Sequence, residues 1–175
     1  MIKDNRYIFW ILGPTASGKT SIGEIFAKIL SENDMPVIHY DGDEIRHLLG
    51  PNLGFESQDR LTVVSIIGYL ANKSLRSGMN VVVSALTAND DARHYIRNHV
   101  DNIIIIYLEC NIEKCIERDY KGLYRKALNG EIETLIGINT EYVPFKKPDI
   151  ILKSENKTID ECAQELLEFF KKKFN

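Results

Sequence analysis

The amino-acid sequence predicts an α/β fold, formed by a single domain with a mainly parallel sheet flanked by helices. Five short apolar runs rich in β-branched residues alternate with helical patterns, as in sheets whose parallel strands are joined by helices. The first run leads directly into a glycine-rich loop. A length of 175 residues suits one buried core and is short for two domains. The predicted strands are residues 7–12, 37–40, 81–83, 103–108 and 150–152.

The loop after the first strand matches the phosphate-binding pattern G-x-x-x-x-G-K-[ST], and a helical pattern follows it. In such a loop the backbone N–H groups and the start of the helix face a phosphate. Lys19 is expected to reach the outer phosphates, and the Thr20 hydroxyl a Mg²⁺ ion. This predicts a P-loop NTPase fold. The candidate nucleotide-binding residues are Gly13, Pro14, Thr15, Ala16, Ser17, Gly18, Lys19, Thr20 and Ser21.

Three segments repeat apolar residues every three or four positions, as helices that pack on a sheet do. Ser57 is predicted to cap the second of these helices and Gly78 to end it. Thr158 and Glu161 have the spacing of a capping box at the start of the last helix, which ends in three lysines. The apolar stripes are Ile22, Ile25, Phe26, Ile29 and Leu30; Leu61, Val64, Gly68, Ala71 and Leu75; and Ile159, Cys162, Leu166, Leu167 and Phe170.

The longest segment without clear periodicity covers residues 119–147, and it is rich in glycine, proline and charge. Long loops inside compact domains usually serve function or are disordered. Phosphoryl transfer requires that water be kept away from the nucleotide. We therefore predict that this segment is a mobile lid that closes over the phosphates.

Composition limits the partners and the location of the chain. The net charge of −3 argues against a general affinity for nucleic acid or for an anionic membrane. The three cysteines contain no C-x-x-C pair, so reduced thiols are expected rather than a disulfide framework or a zinc site. The first apolar run has six residues, which is too short for a signal-peptide core, and no run approaches the length of a membrane span. The expected location is the cytoplasm.

Four ordered motifs point to a known family. After the P-loop come Y-D-G-D-E-I-R-H at residues 40–47, N-L-G-F-E-S-Q-D-R at 52–60, and R-D-Y-K-G-L-Y-R-K-A at 118–127 with G-E-I at 130–132. Together these motifs resemble the adenylylsulfate kinase family over nearly the whole chain. The resemblance implies a kinase domain over residues 1–175 that uses ATP and Mg²⁺ to phosphorylate the ribose 3′-hydroxyl of a small-molecule nucleotide. Homodimers, which are common in the family, are a compatible assembly.

The chemistry explains the acidic residues in the second motif. A ribose hydroxyl is a poor nucleophile at neutral pH, so a carboxylate must orient it and accept its proton. By resemblance, Asp41 is the base, Asp43 is the metal or water partner, and Lys19 completes the catalytic set. The two aspartates can exchange these roles, and an acidic turn that merely caps the next helix is the simpler alternative.

The resemblance also implies acceptor contacts. Arg46 and Arg60 correspond to arginines that hold the phosphates of the acceptor nucleotide, and a planar guanidinium suits that task. Phe55 corresponds to an aromatic that stacks on the acceptor base, although a core position is an equal alternative. Arg93 and Arg97 instead fit solvated surface arginines. In the lid, Arg118, Lys121 and Arg125 are expected to bring positive charge to the transferred phosphoryl group, and a charge-rich mobile loop is the simpler alternative. Arg118 is expected to contact ATP, and Lys121, Gly122 and Leu123 are expected to contact the acceptor.

The sequence departs from the family on the acceptor side. Residues 61–66 read L-T-V-V-S-I where the family has a polar E-N-x-R-R pattern. Leu135 replaces an aromatic of the base clamp, and Thr87 keeps only the hydroxyl of a family serine, so Thr87 is expected to contact the acceptor. Each lost contact costs about 1–3 kcal/mol of discrimination. The lost contacts therefore predict a different acceptor nucleotide. Resemblance to the family branch that phosphorylates cytidine 5′-diphosphoramidate in capsule biosynthesis makes that nucleotide the preferred prediction; the alternatives are an adenylylsulfate kinase of sulfate activation and a non-catalytic nucleotide-binding regulatory module.

Overall fold

Strands and helices alternate along residues 6–174, which are the residues that the computed structural model describes. The remaining residues of the predicted domain, 1–5 and 175, lie outside the described residues. The strands are β1 (Ile8–Leu12), β2 (Val37–Asp41), β3 (Asn80–Ser84), β4 (Ile103–Glu109) and β5 (Ile150–Lys153). The helices are α1 (Lys19–Glu32), α2 (Gly42–Leu48), α3 (Ser57–Arg76), α4 (Asp90–His99), α5 (Ile112–Arg118), α6 (Leu123–Leu128) and α7 (Ile159–Phe174).

The five strands form one sheet in the order β2-β3-β1-β4-β5, and every neighbouring pair is parallel. The predicted α/β class and all five predicted strands are thus confirmed. Strand β1 lies in the middle and is buried on both faces, so it reads as a continuous apolar run. Ile8, Trp10 and Leu12 pack on one face with α3 and α4, whereas Phe9 and Ile11 pack on the other with α1 and α7.

The strand order reverses at β1. The chain leaves β1 for β2 on one edge, returns through β3, and then continues to β4 on the opposite side of β1. In open parallel sheets a crevice opens beyond the carboxyl ends of the strands at such a switch point. The glycine-rich loop follows β1 directly, so the topology places it at this crevice.

The helix ends agree with the predicted signals except at one cap. Glu56, not Ser57, is the N-cap of α3, because the Glu56 N–H donates to the Asp59 carboxylate at 3.2 Å. Gly78, with φ +87°, ends that helix as predicted. At the start of α7 the predicted capping box is present, since the Thr158 N–H donates to the Glu161 carboxylate at 2.7 Å. Within residues 6–174, no helix is both long and apolar enough to cross a bilayer.

The segment predicted as a lid contains more structure than the sequence pattern indicates. It includes the short helix α6, and a single β-bridge joins Ile136 to Thr140. Its last part is anchored, because Tyr142 and Phe145 are buried in the core cluster that contains Trp10. Residues 140–147 therefore belong to the body of the domain. Movement of residues 119–139 as a lid stays a prediction.

Candidate active site

One cavity of about 470 Å³ opens at the carboxyl ends of β1, β2 and β3. It brings together the P-loop, the acidic turn after β2 and the predicted lid. Residues from both predicted subsites line it: Thr15, Ala16, Gly18, Lys19, Thr20, Asp41, Asp43, Arg46, Phe55, Arg60, Thr87, Lys121 and Leu123. The predicted site residues Gly13, Pro14, Ser17, Ser21, Arg118 and Gly122 do not line this cavity.

The P-loop is shaped by close packing beneath it. A Cβ at Gly13 would lie 2.5 Å from the carbonyl oxygen of Leu108 on β4, so no larger residue fits there. The Ser154 hydroxyl, just after β5, donates to the Ser17 carbonyl at 3.1 Å. On the lid side, the Tyr124 hydroxyl donates to the Thr15 carbonyl at 2.9 Å. These contacts fix the loop while its N–H groups and the start of α1 form a cradle for an anion.

Lys19 is half-buried in this cradle. Its ammonium donates to the carbonyl of Pro14 at 2.6 Å, and no acidic residue occupies the first turn of α1. Burial lowers the pKa of Lys19 to about 8, although the negative charges of Asp43 and Asp41 oppose that change. A triphosphate would supply the negative charge that this desolvated ammonium lacks. The residues present therefore fit ATP.

Asp41 is held from three sides. Its Oδ2 accepts a hydrogen bond from the Thr20 hydroxyl at 2.7 Å, and its Oδ1 accepts from the backbone N–H groups of Asp43 at 2.8 Å and Glu44 at 3.2 Å. Asp41 is thus the N-cap of α2, as the simpler alternative proposed. It also fixes the hydroxyl that P-loops present to Mg²⁺. An oxygen donor set of this kind suits a hard divalent cation.

Asp43 has a different environment. Its side chain is 71% exposed, lines the cavity, and forms an ion pair with Lys121 of the lid at 2.5 Å. Burial alone would lower the pKa of Lys121, but the hydrogen bond and the charge of Asp43 leave that pKa raised. The two aspartates, two positions apart in sequence, therefore differ in environment: the Asp41 carboxylate is bound internally, and the Asp43 carboxylate is exposed in the cavity.

Phe55 and two arginines form the entrance of the predicted acceptor side. The Phe55 side chain is 52% exposed and lines the cavity, so the alternative of a core position is wrong. The guanidinium carbons of Arg46 and Arg60 lie 4.5 and 5.8 Å from the centroid of its ring. Arg46 also donates to the Gly54 carbonyl, and Arg60 donates to the Phe55 and Thr134 carbonyls at 2.8 and 2.9 Å. The two cations are thus grouped at one mouth of the cavity.

The inner wall of the predicted acceptor side, called the acceptor wall below, is mostly apolar. The residues that form it are Val63, Val64, Ala85, Leu86, Ala88, Ile132, Leu135 and Ile136. Thr87 lies among them, but its side chain is only 4% exposed, and its hydroxyl accepts from Trp10 Nε1 at 3.0 Å. That hydroxyl also donates to the Ala85 carbonyl at 3.4 Å. The Thr87 hydroxyl thus has internal partners in this arrangement, and its contact with the acceptor stays a prediction.

Two further residues differ from their predicted positions. Arg118 turns away from the cavity, and its Nη2 donates to the carbonyls of Ser154 and Glu155 at 2.7 and 3.3 Å. This arrangement ties α5 to the segment after β5, and the ATP contact of Arg118 stays a prediction. Gly122 instead acts as the N-cap of α6 with φ +67°, a backbone conformation that favours glycine.

Some supporting residues were not predicted. His39 Nε2 lies 2.9 Å from the Ser84 hydroxyl, which donates to the Lys19 carbonyl at 3.0 Å, so a histidine that the sequence pattern left without a role supports the start of α1. Tyr124 belongs to the motif at residues 118–127, and that motif is the sequence signal that could have identified it as a site residue. Arg93 is buried, so its predicted solvated position is wrong.

The comparisons with known proteins agree with this geometry. The family model described as adenylylsulphate kinase matches residues 5–153. The chain belongs to the adenylylsulfate kinase family. A relative named probable adenylyl-sulfate kinase from Bacillus subtilis is 34% identical over 175 residues, covering 99% of this chain and 89% of the relative. The adenylyl-sulfate kinase of Chloroflexus aurantiacus is 35% identical over 160 residues, covering 91% and 86%.

A solved structure of the family is similar in three dimensions. The APS kinase of Mycobacterium tuberculosis, solved in complex with AMPPNP and APS, superposes with a TM-score of 0.89 at 30% identity, covering 95% of this chain and 98% of that one. Membership of this family identifies the chain as an ATP-dependent phosphotransferase that acts on a hydroxyl group. The relatives compared here bear the adenylyl-sulfate name, and none supports the preferred prediction of a cytidine nucleotide.

Proposed function

We propose that this protein transfers the γ-phosphoryl group of ATP to the ribose 3′-hydroxyl of a nucleotide. The observation that carries the proposal is that the P-loop and the acidic turn after β2 line the same cavity, with Lys19, Asp41 and Asp43 all facing it. A nucleotide-binding module without catalysis has no need of a carboxylate beside an acceptor space. The cluster of Lys19, Asp43 and Lys121 supports transfer over mere binding.

The contacts favour exchanging the roles that the family resemblance gave to the two aspartates. Asp43 is exposed in the cavity, so it can accept the proton of an acceptor hydroxyl. Both oxygens of Asp41 already accept hydrogen bonds. Asp41 and Thr20 would hold Mg²⁺, which would neutralise charge on the β- and γ-phosphates. We therefore assign Asp43 as the base and Asp41 as the residue that orients Thr20.

Two lysines would act on the phosphates. Lys19 would exchange its hydrogen bond with the Pro14 carbonyl for an interaction with the outer phosphates of ATP. Lys121 lies on the lid side and pairs with Asp43, so it would approach the transferred phosphoryl group only if that ion pair opened. Loss of Lys121 from Asp43 would also free the carboxylate for the acceptor hydroxyl. The positive charge of Lys121 beside the transferred phosphoryl group would stabilise the transition state.

Adenylylsulfate is the first acceptor proposed, because the relatives bear that name. The phosphates of such an acceptor would bind Arg46 and Arg60 at the mouth of the cavity. A second acceptor, cytidine 5′-diphosphoramidate, is favoured by one observation: the acceptor wall is aliphatic at Leu135 and Ile136. A pyrimidine needs less aromatic stacking than adenine does.

An acceptor screen tests the proposal. Purified protein with Mg·ATP is offered adenylylsulfate, cytidine 5′-diphosphoramidate, or the corresponding plain nucleoside 5′-diphosphates, and ADP release is measured by a coupled assay. The proposal expects turnover of at least one nucleotide and loss of that turnover in Asp43→Asn. If no nucleotide stimulates ADP release above the level of the Lys19→Met variant, the catalytic assignment fails. The ratio of kcat/KM values between the two preferred acceptors decides the substrate.

A further inference from the structure

Arg93 on α4 connects two segments that are far apart in sequence. Its side chain is buried, with 8% exposed. Its Nε donates to the Thr87 carbonyl at 3.1 Å, in the turn after β3. Its Nη2 donates to the Val143 carbonyl at 2.6 Å, and its Nη1 lies 3.5 Å from the Pro144 carbonyl. One guanidinium thus bridges the turn after β3 and the segment that follows the predicted lid.

The partners of Arg93 are unusual for a buried cation. Among the residues from 6 to 174, Arg93 contacts carbonyl oxygens and two aromatic rings, and none of the ion pairs there involves it. Its guanidinium carbon lies 5.9 Å from the ring centroid of Tyr142 and 5.4 Å from that of Phe145. Burial of a charge without a carboxylate costs free energy. A planar fork that reaches several fixed carbonyls at once offsets part of that cost.

Both bridged segments border the acceptor wall. Leu86, Thr87 and Ala88 line the cavity on one side, and Thr87 has φ +43°, a conformation that is uncommon for a β-branched residue. The Thr87 carbonyl that Arg93 binds and the Thr87 hydroxyl that Trp10 binds hold this turn from two directions. On the other side, residues 143–144 lie between Tyr142 and Phe145, which belong to the buried cluster against which the lining residues Leu86, Ala88 and Ile136 pack. Arg93 therefore connects the two borders of one wall.

The P-loop does not depend on Arg93. Its carbonyls are held by the hydroxyls of Tyr124 and Ser154, from α6 and the segment after β5. Arg93 contacts neither of these elements, and it is absent from the residues that line the cavity. A loss of Arg93 should therefore change the acceptor wall and leave the ATP cradle as it is.

We propose that Arg93 is a positioning residue that fixes the two halves of the acceptor wall relative to each other and so sets the affinity for the acceptor nucleotide. This inference rests on the proposed function, because it requires the acceptor to bind on this side of the cavity. Arg93 touches no substrate itself. Its effect reaches the acceptor through the turn at residues 86–88 and through the segment at 143–144.

Arg97 provides a matched control. It lies one turn further along the same helix, is exposed, and donates to the Lys146 and Lys147 carbonyls at 2.6 and 2.9 Å. It also lies over the Phe145 ring at 4.8 Å, but it has no contact with the Thr87 turn. The variants Arg93→Met and Arg97→Met remove one guanidinium each from α4. Only the first removes the bridge.

Steady-state kinetics separate positioning from a general loss of structure. In Arg93→Met we expect the KM of the acceptor to rise by about tenfold or more, with the KM of Mg·ATP changed by less than about twofold. Arg93→Lys should give an intermediate acceptor KM, because one ammonium cannot bridge both segments. Arg97→Met should leave both KM values within about twofold. Equal rises in both KM values of Arg93→Met, or an unchanged acceptor KM, would overturn the proposal.

Hydrogen–deuterium exchange tests the bridge without relying on turnover. In the unliganded protein, Arg93→Met should speed amide exchange at residues 85–88 and 142–145 together and leave residues 13–21 unchanged. Arg97→Met should leave residues 85–88 unchanged. Faster exchange in only one of the two bridged segments would contradict the inference. This outcome does not depend on whether the wild-type protein phosphorylates any tested nucleotide. If Arg93→Met does not fold, Arg93→Lys carries both measurements under the same criteria, with an acceptor KM raised by about threefold or more.

Discussion

The two aspartates of the acidic turn should separate stability from catalysis. Asp41→Ala removes the N-cap of α2 and the hydrogen bond that Asp41 accepts from Thr20. A lost cap costs about 1 kcal/mol and a lost hydrogen bond to a charged group about 1.5–3 kcal/mol, so the free energy of unfolding should fall by about 2.5–4 kcal/mol. For a domain of this size that corresponds to a melting temperature about 5–15 °C lower.

Asp43→Ala should have the opposite profile. Its ion pair with Lys121 is exposed and contributes about 0–1 kcal/mol, so the melting temperature should change by less than about 3 °C. Its kcat should fall by about 100-fold or more if Asp43 is the base. Differential scanning calorimetry and the coupled ADP assay measure both quantities on both variants. A melting temperature of Asp41→Ala within about 2 °C of wild type, or a kcat of Asp43→Ala within about threefold, would refute these assignments.

Three further outcomes follow from the site. Burial lowers the pKa of Lys19 to about 8 in the free protein, and a bound triphosphate favours the charged ammonium. The affinity for a Mg²⁺-bound ATP analogue should therefore be full below that pKa and weaken about tenfold per pH unit above it. Calorimetric titration measures this affinity, and the Lys19→Met variant should show no such pH dependence. Gly13→Ala places a Cβ 2.5 Å from the Leu108 carbonyl oxygen and should weaken analogue binding by about tenfold or more, which an unchanged dissociation constant would contradict. Leu135→Phe restores a ring to the acceptor wall and should lower the KM for adenylylsulfate by about 2–10-fold, a gain of about 0.5–1.5 kcal/mol, with no gain for a cytidine acceptor.

The features that the sequence could predict depend on local patterns. Each strand is a short apolar run, and β1 passes into a P-loop whose spacing is specific, so the fold and the phosphate cradle required no long-range information. The capping box at Thr158 and the glycine end at Gly78 are local signals as well. The cap of α3 was missed by one residue, because glutamate and serine at adjacent positions can both begin a helix.

The features that were missed depend on contacts between distant residues. Trp10 and Thr87 are 77 positions apart, and their hydrogen bond gives the Thr87 hydroxyl a buried partner that no local pattern indicates. Two of the carbonyl groups that Arg93 contacts lie about 50 positions later, at residues 143–144. Its position in a polar helix pattern therefore indicated only a surface residue. The roles of Asp41 and Asp43 were left open for a related reason: their spacing shows that they share a turn, but only the start of α2 decides which one turns inward.

The most direct test of the central claim is the position of the new phosphate in the product. The account requires that an ATP held by the P-loop and an acceptor ribose beside Asp43 meet in one cavity. After incubation with Mg·ATP and the preferred acceptor from the screen, two-dimensional phosphorus–proton NMR should show a new phosphomonoester coupled to the ribose 3′ proton. A phosphate coupled to any other proton, or hydrolysis of ATP without a phosphorylated acceptor, would contradict the account.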